Sequence, residues 1–305
     1  MASEDQQRVM SDLQRMFEER LPSASAIAEV AVRKCIDGHE DDAAWLKQNF
    51  SELVDAVQVA AVEEYLALQQ TAMRIAFSDV LVPLAGANPT AGDMVNVLAD
   101  HFNGLERFFN GLSQGRRPHA GKAFELLIAR LFNQHYAGAS QVLLKGQPDF
   151  IFPAVDYFRS TPGDSIVFSV KRTVKERWRQ MVASLTKPLG YFVGTVDEEV
   201  PASDLQEMHA ARLYLVVPSR VKRSRADYDQ AGNVMTFEHF FAAHLDPAIQ
   251  RWQAAGVIRR LAVAEKEHDF RQLFGPKPEQ RPSVFSPSRT TARLMIRLQQ
   301  GSLFD

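Results

Sequence analysis

Asp149 follows Pro148 where an extended run, PDFIFP, begins; Lys171 ends the next such run, SIVFSVK; and Glu125 lies in the first turns of an otherwise apolar helix. Two acids and a lysine so spaced form a pattern suited to phosphodiester hydrolysis. That reaction builds negative charge on a phosphate that is already anionic. Carboxylates such as Asp149 and Glu125 would hold Mg²⁺, which stabilises the charge and orients a water. Lys171 would polarise or deprotonate that water and offset the phosphate charge. The spacing also admits a plainer account, in which Asp149 starts a strand and Lys171 ends one at the surface.

The elements that must position these groups are short strands and a basic helix. In residues 149–152, alternation puts Asp149 and Ile151 on one face and Phe150 and Phe152 on the other. In the strand at 165–171, Ile166, Phe168 and Val170 face one way, and Val167, Ser169 and Lys171 the other. A helix is predicted from about Thr173, where Thr173 and Glu176 have capping-box spacing. Val174, Trp178, Met181 and Leu185 form its apolar stripe, and Arg172, Lys175, Glu176 and Arg179 its mostly basic face. Arg177 lies on a flank that Ser184 shares two turns later.

Further strands are expected at 141–144, 189–195 and 212–219, with a helix near 203–211 and a basic turn of Arg220, Lys222, Arg223 and Arg225. Residues 236–245 read as helical. Asp246 and Pro247 open another helix reaching about Ala264. Upstream, residues 113–122 (SQGRRPHAGK) crowd Arg116, Arg117, His119 and Lys122 into a Gly/Pro-punctuated approach to a helix at 120–132. A positive lead-in to a helix N-terminus is a natural phosphate contact, because unpaired N–H groups and the dipole favour an anion.

Residues 1–112 look almost wholly helical, with breaks at Pro22, at Gly38, around 83–89 and at Gly111. This region is either a solvated helical domain or a dimerisation and DNA-clamping region. Residues 113–270 would hold the catalytic and recognition core, and 271–305 a Pro/Ser-rich C-terminal arm ending in a short helix. The expected class is α/β, a mixed central sheet flanked by helices. Apolar residues make up 46% of the 305 and the net charge is −2, so any nucleic-acid surface must be local. Cys35 is the single cysteine, which excludes an internal disulfide framework and fits a reducing cytoplasm. No run approaches the roughly 20 apolar residues of a membrane span, and the charged N-terminus has no apolar signal region. A soluble, cytoplasmic protein is expected.

The run KRTVKERWRQ resembles the signature of the EcoRII, SsoII and PspGI group of type II restriction endonucleases, close to K-x-T-x-(K/R)-(D/E)-R-W-(R/K)-Q. Lys171, Thr173, Lys175, Glu176, Arg177, Trp178, Arg179 and Gln180 all match it. RRPHAGKAFE, PDFIFP and RLYLVVPS also resemble segments of that group, so the likeness covers roughly residues 115–222. It implies the restriction-endonuclease-like PD-(D/E)xK fold, a homodimer, Mg²⁺, and double-stranded DNA sites of the CCNGG or CCWGG type. By resemblance Asp149 is a metal ligand, Lys171 the catalytic lysine, and Lys175, Glu176 and Arg177 the readers of C·G pairs. The chemistry agrees: Arg and Lys donate to guanine O6 and N7, and Glu accepts from cytosine N4. Arg172 and Arg179, with Arg116, Arg117 and Lys122, suit the DNA backbone. Trp178 fits the core. Members of the group flip a central base pair, and Trp45, Phe50 and Tyr65 are possible stacking partners.

The sequence departs from the group at one place. The second catalytic acid of the group is a Glu thirteen residues after the lysine, and here that position is Ser184. The more usual acid position, two before the lysine, is Ser169. Glu125 with Asp149 would suffice, or Asp164, Asp197 or Glu198 would reach in, or the protein binds its DNA sequence with a weakened nuclease site. A repair nuclease without sequence preference is a further reading.

Overall fold

A computed structural model of the chain describes residues 4–136, 140–141, 149–174, 178–179 and 188–258, with the backbone alone for 113–117, 134–135, 140–141 and 155–156. The expected base readers Lys175, Glu176 and Arg177, the substituted position Ser184, the side chains of Arg116 and Arg117, and the C-terminal arm lie outside the described residues.

The N-terminal region is helical, as its periodicity requires: α1 (Glu4–Glu18), α2 (Ala24–Ile36), α3 (Ala43–Gln48), α4 (Phe50–Val80), α5 (Ala91–Asp100) and α6 (Phe102–His135). Side-chain caps start three of them. Ser23 accepts from the Ala26 amide, Asp42 from that of Trp45, and Thr90 and Asp93 form a reciprocal capping box.

The expected break at Gly111 and the separate start near Ala120 are corrected. Helix α6 runs unbroken through Gly111 and Pro118. An interior proline costs about 3 kcal/mol. Burial on both sides of it outweighs that cost. Leu105, Phe108 and Leu112 enter a cluster with Leu13, Phe17 and Ala76. Phe124, Leu127, Leu131 and Phe132 enter the main core, and each such side chain contributes about 1.5–3 kcal/mol. Residues 113–122 therefore offer no helix N-terminus to a phosphate, since their amides lie within α6. His119 belongs to no exposed basic cluster either. It is buried, stacked on Tyr65 with ring centroids 4.1 Å apart, and burial holds its imidazole below the usual pKa.

Among the described residues the sheet has six strands in sequence order: β1 (Ser140–Gln141), β2 (Phe150–Phe152), β3 (Ile166–Val170), β4 (Gly190–Gly194), β5 (Leu213–Val217) and β6 (Val234–Thr236). β1, β2 and β3 pair antiparallel, whereas β3 through β6 pair parallel. Helix α7 (Val155–Ser160) links β2 to β3, and α8 (Ala202–Ala210) links β4 to β5. The basic turn is two short helices, α9 (Ser219–Arg223) and α10 (Ala226–Gln230). They lead into β6, which the sequence reading did not anticipate. Helix α11 (Phe237–Phe240), a π-helical turn (Phe241–Leu245) and α12 (Asp246–Ala254) follow. The helix expected to reach Ala264 ends at Ala254. Gly256 takes φ +69, and Val257 and Gly256 donate back to Trp252 O and Gln253 O in a Schellman turn.

Strand alternation divides the core as expected. Phe150, Phe152, Ile166, Phe168, Val170 and Phe192 pack toward α2, α4 and α6. Ile151, Val167, Tyr191 and Val193 pack on the opposite side with Val174, Trp178, Leu205 and Met208. Helices thus cover both faces of a mixed sheet. Among the described residues no helix is long and apolar enough to cross a membrane.

Candidate active site

β3 is antiparallel to β2 on one side and parallel to β4 on the other. At the C-terminal end of this junction strand, Asp149 and Lys171 meet. The register Phe150↔Phe168 carries Asp149, one residue before β2, to the end of β3. Its Oδ2 accepts the Val170 amide at 2.7 Å and Lys171 Nζ at 2.9 Å. Lys171 Nζ also donates to Val170 O at 3.0 Å, and the Lys171 amide to Gly194 O at 2.9 Å. Both side chains are about one-third exposed, at 32% and 31%. Water screens the pair, and its contribution to stability is about 1 kcal/mol or less. Its value is placement: a fixed ammonium beside a carboxylate whose Oδ1 takes no hydrogen bond among the described residues.

Ser169 is buried, and its hydroxyl lies 3.2 Å from that of Tyr191. The Tyr191 phenol is pushed up to about 12, mainly by burial, with the Asp149 charge adding to the rise and the Ser169 bond opposing it. The slot two residues before the lysine is thus filled by two neutral hydroxyls bonded to each other.

The other acids have separate employment. Glu125 is exposed on α6, 3.2 Å from Lys122 in an i,i+3 pair. Asp164 precedes β3 at the end away from Lys171, and it accepts from Tyr157 (2.8 Å), Trp252 Nε1 (2.9 Å) and Arg251 (2.6 Å). Burial pushes its carboxyl up, but these three bonds hold it below the usual range. Asp197 is buried and accepts the Val174 amide at 2.8 Å and the Glu199 amide at 3.0 Å. Glu198 pairs with Arg220. Among the described residues no three His, Cys, Asp or Glu side chains gather to hold a metal ion.

Beyond the lysine, Val174 and Trp178 are buried, as the stripe predicted. Arg172 is exposed, and its carbonyl accepts from Thr195 Oγ1 at 3.2 Å. Arg179 lies 4.6 Å over the Trp178 ring and donates to Asp204 (3.1 Å) and Glu207 (2.9 Å). Of the three aromatic stacking candidates, Phe50 lies wholly inside the core and is withdrawn. Tyr65 is buried against His119, and Trp45 stacks on His39 at 3.9 Å.

The basic turn is spent largely within the protein. Arg220 bridges Asp55 and Glu198; Lys222 donates to the carbonyls of Tyr228, Asp229 and Val234; Arg225 donates to Asp227 and to the carbonyls of Glu198 and Val200. One neighbour of the site went unread in the sequence. Tyr191 gave no signal beyond its strand. Asp197 was named among the acids that would reach in, and it serves instead as an acceptor of the Val174 and Glu199 amides.

The family model described as EcoRII C terminal matches residues 90–241. Over 159 residues the chain is 30% identical to the type II restriction enzyme EcoRII of Escherichia coli. The match covers 49% of this chain and 39% of that relative. Among solved structures, metal-depleted Ecl18kI in complex with uncleaved DNA has TM-score 0.67 and 16% identity, covering 96% of this chain and 99% of that one. The complex of Ecl18kI with modified DNA has TM-score 0.68. The PspGI–substrate DNA complex has TM-score 0.50 and 20% identity, covering 77% of this chain and 94% of that one. The fold is therefore restriction-endonuclease-like, with a helical N-terminal region.

Proposed function

We propose, for a chain whose residues 90–241 match the family model described as EcoRII C terminal, a homodimeric type II restriction endonuclease that cleaves double-stranded DNA at a CCNGG or CCWGG site with Mg²⁺. The observation that carries this is the Asp149–Lys171 pair at the end of β3, immediately followed by the KERWRQ run. Two of the three Lys171 ammonium protons are engaged, by Asp149 and by Val170 O. The third is left to reach a phosphate oxygen and offset its charge. Asp149 Oδ1 is the oxygen available to a metal, and Glu125 is the second ligand proposed from sequence. Bound Mg²⁺ would supply charge stabilisation and an acidified water.

In this reading Lys175, Glu176 and Arg177 contact C·G base edges, and Arg116, Arg117, Lys122, Arg172 and Arg179 contact the DNA backbone. Arg179 would reach a phosphate only by leaving Asp204 and Glu207. Residues 113–270 form the catalytic and recognition core, 1–112 the dimerisation or clamping region with α6 common to both, and 271–305 an arm.

A second reading, a sequence-specific DNA-binding protein with a weakened nuclease site, is favoured by one observation. Ser169 is bonded to Tyr191, and no other acid is paired with Asp149 and Lys171 among the described residues. Incubating the protein with plasmid bearing CCNGG sites and Mg²⁺ separates the readings. Discrete fragments support the endonuclease; specific binding without cleavage, with cleavage gained in Ser184→Glu, supports the second. Degradation without preferred fragments would contradict both.

A further inference from the structure

We infer that Asp197 is the positioning residue that fixes the backbone between the catalytic lysine and the base readers, and so sets discrimination between DNA sequences. The inference rests on the proposal above that residues 175–177 read base edges.

Only Arg172, Thr173 and Val174 separate Lys171 from Lys175. Two of the three are gripped by the loop that follows β4. Thr195 Oγ1 donates to Arg172 O at 3.2 Å, and Asp197 Oδ2 accepts the Val174 amide at 2.8 Å. Thr195 Oγ1 also accepts the Asp197 amide at 3.1 Å, so one hydroxyl ties the loop to itself and to the turn after β3. Asp197 Oδ1 takes the Glu199 amide at 3.0 Å.

The loop that does the gripping is itself fixed from the other side. The buried Tyr228 hydroxyl donates to Asp197 O at 2.9 Å and accepts the Val200 amide at 3.0 Å. Arg225 donates to Glu198 O and Val200 O and is neutralised by Asp227. Arg220 joins Glu198 to Asp55 of α4. The loop after β4 is thus held from both sides, and it holds the Val174 amide through the Asp197 carboxylate. Asp197 is 7% exposed, so water cannot readily replace it. Bidentate base contacts demand accurate placement, and each contributes roughly a tenfold or larger preference. Phosphate contacts tolerate a shift far better, because long cationic side chains follow the charge.

A merely stabilising cap and a positioning residue predict different results. The full chain, Asp197→Ala and Asp197→Asn are titrated without metal against a CCNGG duplex and the same duplex with its C·G pairs exchanged. Hydrogen exchange at the Val174 amide is followed in the absence of DNA. Asp197→Ala is expected to bind the exchanged duplex within about twofold of wild type while its preference for CCNGG falls about tenfold or more. Val174 exchange should accelerate. Asp197→Asn keeps one acceptor oxygen and should recover part of both. Equal losses on both duplexes, or an unchanged preference in a folded Asp197→Ala, would overturn the inference. Absence of preference in the wild type would instead refute the base-reading proposal; unaltered Val174 exchange in Asp197→Ala would then overturn the anchoring role as well, and accelerated exchange would uphold that role.

Discussion

Lys171 Nζ and Asp149 Oδ2 are 2.9 Å apart, and the same carboxylate oxygen takes the Val170 amide at 2.7 Å. One carboxylate thereby fixes both the end of a strand and the ammonium it delivers. Stability and catalysis should separate in Lys171→Met. Asp149 keeps its backbone partner, so the melt should change by the equivalent of about 1 kcal/mol or less. Cleavage of site-bearing DNA should fall by a factor of about a hundred or more. Melting curves and cleavage rates on the same preparation check both halves.

Ser169 and Tyr191 form a buried hydroxyl pair beside that carboxylate. Ser169→Ala leaves the Tyr191 hydroxyl without this partner, a loss of about 1–3 kcal/mol. The thermal midpoint should drop by several degrees. An unchanged midpoint would mean that water or a rearranged neighbour replaces the bond.

Asp164 ties the start of β3 to Arg251 and Trp252 of α12. Burial works against its charge, yet bonds from Tyr157, Trp252 and Arg251 leave its folded-state value below that of an ordinary carboxylate. It therefore adds stability above about pH 4 that is lost as pH falls through the folded value. Wild type should melt higher than Asp164→Asn at neutral pH, and the gap should narrow below about pH 4. A gap that is constant with pH would contradict the assignment.

In the proposed reading, three arginines, Arg172, Arg177 and Arg179, divide the DNA contacts. Arg172→Ala should weaken binding to all sequences about equally, whereas Arg177→Glu should weaken binding to the specific site far more than to random DNA. Arg179→Ala should lower the salt slope by about one if Arg179 leaves Asp204 and Glu207 for a phosphate. Titrations at several salt concentrations measure all three. An unaltered slope would keep Arg179 as an internal ion pair only.

Much of this arrangement was legible in residue order. Strict alternation in 149–152 and 165–171 was enough to separate Phe150 and Phe152 from Ile151, and Ile166 and Phe168 from Val167, while the register that joins the two strands' layers came from the structure. It also carried Lys171 to the strand end where Asp149 stands. What local pattern could not show was tertiary override. Gly111 and Pro118 are breakers by propensity, but burial of Phe108 and Phe124 on either side holds α6 together. The same limit hid the use of the basic turn. Arg220 and Arg225 read as part of a basic turn, and their partners Asp55 and the carbonyls of Glu198 and Val200 are distant in sequence. Short β6 escaped because three residues show too little periodicity.

The central claim, that Asp149 with Lys171 is the phosphodiester-cleaving centre, is tested most directly by single-turnover cleavage of a CCNGG duplex at saturating protein and Mg²⁺, wild type against Asp149→Ala. The expected result is cleavage by the wild type and a fall of about a thousandfold in the variant, with DNA affinity nearly kept. Cleavage by Asp149→Ala at close to the wild-type rate would contradict it.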